Sequence, residues 1–141
     1  MTLVHDIKDT PPRPGGFSPW ETIQHVRELA PGIISVSTAS HGGLWINCSR
    51  LTTMLKEHPE LCRPTDFYPR GKRSSGYQWF EEDCEWARVA LAFPTAFTPE
   101  HQYAARRTLQ VTHPEILAAF DKACVDAGKP LVGLRLTGGA S

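Results

Sequence analysis

The sequence predicts an α+β domain, a small antiparallel sheet covered by four or five helices. Three observations carry this expectation. Residues 33–38, IISVST, and 44–48, LWINC, are short β-branched or apolar runs on either side of the turn-forming Ala39-Ser40-His41-Gly42-Gly43, the pattern of a hairpin. Apolar residues recur at three- and four-residue spacing on both sides of that hairpin, as amphipathic helices require. The chain has 141 residues, 40% of them hydrophobic and 21% charged. A chain of that size and composition buries a core without needing a disulfide or a metal.

The elements follow in order. Residues 1–17 contain Pro11-Pro12 and Pro14-Gly15-Gly16 and read as an extended arm, with 18–141 as a single globular domain. Ser18 as cap, Pro19 at the first helical position and Glu21 as a capping-box carboxylate predict a first helix. Trp20, Ile23, Val26 and Ala30 would form its apolar face and Pro31-Gly32 would end it. After the hairpin, Asn47 or Ser49 would cap a short helix that turns Leu51, Met54 and Leu55 inward and stops near Pro59. Residues 63–76 have many breakers and no period, so they read as a loop.

The run WFEEDCEWARVALAFP has no breaker before Pro94 and reads as one helix, acidic in front and apolar behind. Thr98-Pro99-Glu100 opens a helix that includes Tyr103, Arg106 and Arg107. Thr112 and Glu115 suggest a capping box for the next, lined by Ile116, Phe120, Ala123, Cys124 and Ala127 and ended by Gly128 and Pro130. Residues 131–137 alternate Val132, Leu134 and Leu136 with Gly133 and Arg135, an amphipathic strand.

Charge and cysteine narrow the function classes. Fifteen basic and fifteen acidic residues cancel, which argues against a global grip on nucleic acid or anionic lipid. No apolar run approaches the ~20 residues of a membrane helix. The opening residues lack the basic start and apolar stretch of a secretory signal, so the cytoplasm is the expected compartment. Cys48, Cys62, Cys84 and Cys124 form no C-x-x-C pair and read as buried thiols. No cofactor and no metal centre is expected.

Three groups of residues can carry chemistry. His41, held between hydroxyls and glycines at a strand end, suits a base or a ligand; equally, it can serve the turn alone. Its His-Gly pair is similar to that of the ADP-ribosyltransferase pocket, which also needs an aromatic strand and a late glutamate that are not placed here. Glu81, Glu82 and Asp83 are candidate partners for His41, or else helix-dipole carboxylates. The loop with Arg63, Phe67, Tyr68, Arg70, Lys72 and Arg73 combines cations and rings, as interface hot spots and phosphate-binding loops do. No P-loop, G-x-G-x-x-G, H-E-x-x-H or G-x-S-x-G occurs.

The segments VSTASHGGLWIN (36–47) and GYQWFEEDCEWARVALAFP (76–94) resemble a family of phage, plasmid and proteobacterial proteins with no established activity. Its members carry S-T-x-S-H-G-G and then G-W-[YF]-E-E-D-C-[DE]-W. This sequence departs from that pattern where Gly76-Tyr77-Gln78 precedes Trp79. The resemblance spans 33–94 and implies that His41, Gly42, Gly43, Trp79, Phe80, Glu81, Glu82, Asp83, Cys84 and Trp86 belong to one constellation. It leaves the C-terminal helices as features particular to this chain.

That resemblance implies a small accessory protein of a mobile element that binds a host or defence complex, for example an anti-CRISPR or other anti-defence inhibitor. Its contact surfaces would be the 63–73 loop and the acids at 81–85, whose opposite charges could also pair across a homodimer. The competing expectation is a small enzyme, ADP-ribosyltransferase-like or a metal-assisted hydrolase, using His41 with Glu81, Glu82 or Asp83. Nucleic-acid binding ranks below both.

Overall fold

The computed structural model describes residues 9–62 and 78–134. Among them are a four-stranded antiparallel sheet, four α-helices and two 3-10 turns, the α+β class expected. The strands are β1 (His25–Ala30), β2 (Ile33–Ser37), β3 (Gly42–Ile46) and β4 (Trp79–Glu81). They lie in the order β1-β2-β3-β4. The helices are α1 (Cys48–Glu57), α2 (Trp86–Ala92), α3 (Pro99–Thr112) and α4 (Pro114–Asp126).

The chain divides into two compact units, residues 1–53 with 64–86 and residues 54–63 with 87–141. In the first, the expected hairpin forms, with Ile33 opposite Ile46 and Ser37 opposite Gly42. The helix expected over 18–30 does not. Bends over 18–22 lead into β1, which pairs with β2 from His25–Ser37 to Ala30–Ile33. Pro31 and Gly32, the latter at φ +84°, join the two strands in the order a type II turn requires. Proline also pushes Ala30 toward extended backbone, against a helix ending there. The period that suggested a helix arises because Ile23 and Val26 reach one apolar cluster from an irregular segment and a strand. Ile23, Ile34, Val36 and Trp45 are its buried members, and Val26 and Trp79 pack against it.

The residues before β1 are tied to the same unit. Gly15 N–H donates to Ile23 O at 2.8 Å and Ile23 N–H to Gly16 O at 3.0 Å. Asp9 Oδ1 accepts from the Cys48 N–H at 2.6 Å, at the head of α1. There Asn47 is the cap, its Oδ1 accepting from the Arg50 N–H at 2.9 Å. Leu51 is buried as expected, but Leu55 is 45% exposed.

The 79–94 run divides where one helix was expected. Trp79–Glu81 is strand, 82–85 is turn, and only Trp86–Ala92 is α-helix. Two aromatic residues at the front pair with β3, Trp79 opposite Trp45 and Phe80 opposite Leu44, and aromatic side chains suit a pleated surface. Glu81 Oε1 then accepts from the Cys84 N–H at 2.9 Å and closes the turn. Glu81 and Glu85 therefore do not share a helical face.

In the second unit, α3 packs on α4, and α4 on the 3-10 turn Pro59–Cys62. Met54, Leu61, Val89, Leu91, Ala105, Leu109, Ile116 and Phe120 are among its buried apolar residues. Thr98 caps α3 as expected, accepting from the His101 N–H at 3.1 Å. The capping box at Thr112 is absent: its hydroxyl donates to Thr108 O inside α3, and His113 is the residue preceding α4. Ala123 and Ala127 are exposed, while Leu117 is buried. Lys129 N–H bonds to Cys124 O and Gly128 N–H, at φ +73°, to Val125 O, a Schellman end. Over 131–134 the expected strand is a bend. Gly133 has φ +74°, and a Cβ there would lie 2.3 Å from Gln102 O. Residues 135–137 lie outside the described residues.

Candidate functional site

The β2–β3 turn is built by its own polar groups. Thr38 N–H donates to His41 O at 2.8 Å, and the Thr38 hydroxyl accepts from the His41 N–H at 3.1 Å. That closes residues 38–41 into a four-residue loop between the Ser37–Gly42 pair. A carboxylate from outside the hairpin then fastens it. Glu21 Oε1 accepts from the Thr38 hydroxyl at 3.0 Å, the Ser40 N–H at 3.0 Å and the Ser40 hydroxyl at 3.1 Å. The backbone bond from Ser40, then the Thr38 and Ser40 hydroxyls, hold its carboxyl below the usual glutamate range, with His41 assisting. Ser40 Oγ lies 2.9 Å from His41 Nδ1. His41 itself is exposed.

Glu21 is the residue that sequence reasoning missed, because it was assigned to a helix cap. The cap is half real: Ser18 Oγ accepts from the Glu21 N–H at 3.1 Å, but the carboxylate turns to the hairpin. The available signal was the meander itself. If 25–30 is read as strand, antiparallel pairing sets the residues before His25 beside those after Ser37.

The two motif segments do meet. Gly43 pairs with Glu81, and the Glu82 N–H donates to Gly42 O at 2.9 Å. The glycines permit that approach. A Cβ on Gly43 would lie 2.3 Å from Phe80 O and 2.5 Å from the Trp20 ring, and one on Gly42 2.8 Å from Val36 O and 3.1 Å from Glu82 Oε1. Trp20 meets Trp79 edge to face, with centroids 5.7 Å apart. Glu82 and Asp83 are exposed and Glu81 is half-buried. Among the described residues, no ion pair joins His41 to Glu81, Glu82 or Asp83; the carboxylate linked to His41 is Glu21.

Cys84 is buried beside Glu81 and Glu85, and desolvation with both carboxylates pushes its thiol up to about 12. A thiol so placed carries no thiolate at neutral pH and is a poor nucleophile or metal ligand. Among the described residues, no group of three or more His, Cys, Asp or Glu side chains is placed to hold a metal ion. Arg63, Phe67, Tyr68, Arg70, Lys72 and Arg73, the basic and aromatic residues expected to contact a partner, lie outside the described residues.

Comparison with curated proteins and with solved structures returned no match. A family profile described as a domain of unknown function, DUF7007, matches residues 13–133. The match takes in the segment before β1 that carries Glu21 as well as α3 and α4, so the C-terminal helices lie within the family match rather than outside it. With nearly its whole length matched, the chain belongs to the DUF7007 family.

Proposed function

We propose that this protein is a small accessory protein of a phage or other mobile element, acting by binding a host or defence complex, with an anti-CRISPR inhibitor as the leading example. The carrying observation is the sheet end at which Gly43 pairs with Glu81 and Glu82 bonds to Gly42. Two segments far apart in sequence meet there, and His41, Glu82 and Asp83, which adjoin the junction in sequence, are all exposed, which supports a partner seated at that junction. A partner met there would be basic, since two carboxylates adjoin it and exposed charges steer encounter. Phage origin and a defence target rest on the motif resemblance alone.

A second reading, a small enzyme using His41, draws on the Glu21–Ser40–His41 chain, which is more than a turn needs for closure. One pair of variants separates the readings. The protein expressed in a CRISPR-active host should protect an otherwise targeted phage, and should capture the effector complex from that host. Under the binding reading, Glu82→Lys with Asp83→Lys sharply reduces protection and capture, whereas His41→Gln reduces both less. If His41→Gln abolishes protection while capture persists, the enzyme reading replaces it. No protection against any defence system would sink the proposal.

A further inference from the structure

We propose that Glu21, Ser40 and His41 form a hydrogen-bonded relay that fixes the neutral His41 ring as its Nδ1–H tautomer and presents Nε2 as a proton acceptor for an O–H or N–H donor of a ligand. The inference goes beyond the binding reading and stands whether or not that reading does.

The argument is a count of hydrogens. Ser40 Oγ lies 3.1 Å from Glu21 Oε1 and 2.9 Å from His41 Nδ1. A serine hydroxyl has one hydrogen to give, and an ionised carboxylate has none. Both bonds coexist only if Ser40 donates to Glu21 and the ring Nδ1–H donates to Ser40. In the opposite arrangement Ser40 donates to a bare Nδ1, and two oxygens face each other at 3.1 Å with no proton between them. Glu21 does not supply that proton near neutral pH: the Ser40 N–H donates to the same oxygen at 3.0 Å with the Thr38 hydroxyl also at 3.0 Å, and this backbone bond above all holds the carboxyl in its ionised form.

With Nδ1 occupied, the neutral ring keeps its lone pair on Nε2. The ring is exposed, so a ligand can reach it. When Nε2 takes a proton from a ligand O–H or N–H, the electron pair of the broken bond stays on the ligand and the ring becomes cationic. The Nδ1–H bond to Ser40 is unchanged by that step, so nothing in the relay must reorient. Titratable groups stand on the segments adjoining the turn. Glu21 precedes β1, Glu82 follows β4 with Oε1 against Gly42, and His25 stands on β1 opposite Ser37.

Ring-nitrogen NMR of the full chain, labelled with 15N histidine, tests the proposal. Above the histidine titration range, His41 should show a protonated Nδ1 and a bare Nε2; on acidification the change should fall on Nε2 while Nδ1 stays nearly fixed. Ser40→Ala should convert the ring to the Nε2–H form, the ordinary preference of a free histidine side chain, and Ser40→Thr should restore Nδ1–H. Should Ser40→Ala fail to fold, Glu21→Ala supplies the same reading: the Ser40 hydroxyl, freed from the carboxylate, donates to Nδ1 and the ring shifts to Nε2–H. A wild-type ring in the Nε2–H form overturns the proposal. So does a tautomer that neither substitution moves.

Discussion

Glu21 shows how much one exposed carboxylate can organise. Its folded carboxyl lies below the ordinary 4.5 because donors favour the charged form. Its contribution to stability is therefore complete above that ordinary value and is lost as pH falls through the lower folded one. Glu21→Gln should be less stable than wild type at pH 7, and the gap should close on acidification below about pH 4.5; urea midpoints across pH would measure it. His58 acts at higher pH. Burial pushes its imidazole below 6.5 against the opposing pull of Glu60, 3.9 Å away. A depressed histidine stabilises the fold above its ordinary value and ceases to do so as pH falls and the ring must charge. Wild-type stability should thus begin to decline just below pH 6.5, and His58→Gln should flatten that limb. Gly43 is set by contact: Gly43→Ala forces a methyl against Phe80 O and Trp20, and should cost ~1–3 kcal/mol by overpacking.

At the scale of elements, end signals were easier to read than interiors. Thr98-Pro99 and Asn47 behave as caps because a side-chain oxygen meets a nearby backbone N–H whatever the rest of the chain does. The Ser18-to-Glu21 signal is equally local and equally formed, yet bends rather than a helix follow it, because β1 gains a ladder with β2 that is interrupted only by a register shift between Glu28 and Ala30. The front of the acidic run went unrecognised as strand for a similar reason. Only pairing with β3 makes Trp79–Glu81 extended, and pairing between segments more than thirty residues apart leaves no local trace. The contrast between two threonines is measurable. Thr98→Ala should cost about 1 kcal/mol, the usual loss of an N-cap. Thr112→Ala should cost only a few tenths of a kcal/mol, because its hydroxyl back-bonds to Thr108 O within α3. Chemical denaturation of the two single variants decides it.

For the molecule as a whole, the sequence motifs identified the right neighbourhood and the wrong carboxylate. His41, Gly42 and Gly43 do lie beside Glu81 and Glu82, but Glu21, some twenty residues upstream, is what holds the histidine turn. The division of labour follows from the fold: Glu81 is occupied in closing its turn on Cys84, while Glu82 and Asp83 remain exposed. Exposed charges contribute little to stability, so their reversal should leave the protein intact, within ~0.5 kcal/mol. Their effect should appear in encounter. If the surface meets a basic partner, Glu82→Lys with Asp83→Lys should slow association by about tenfold or more at low salt. The deficit should shrink as ionic strength rises and the Debye length falls below ~8 Å. Association rates of wild type and variant with the captured complex, measured across a salt series, carry the test. A variant that associates as fast as wild type at low salt would move the contact surface away from the acids.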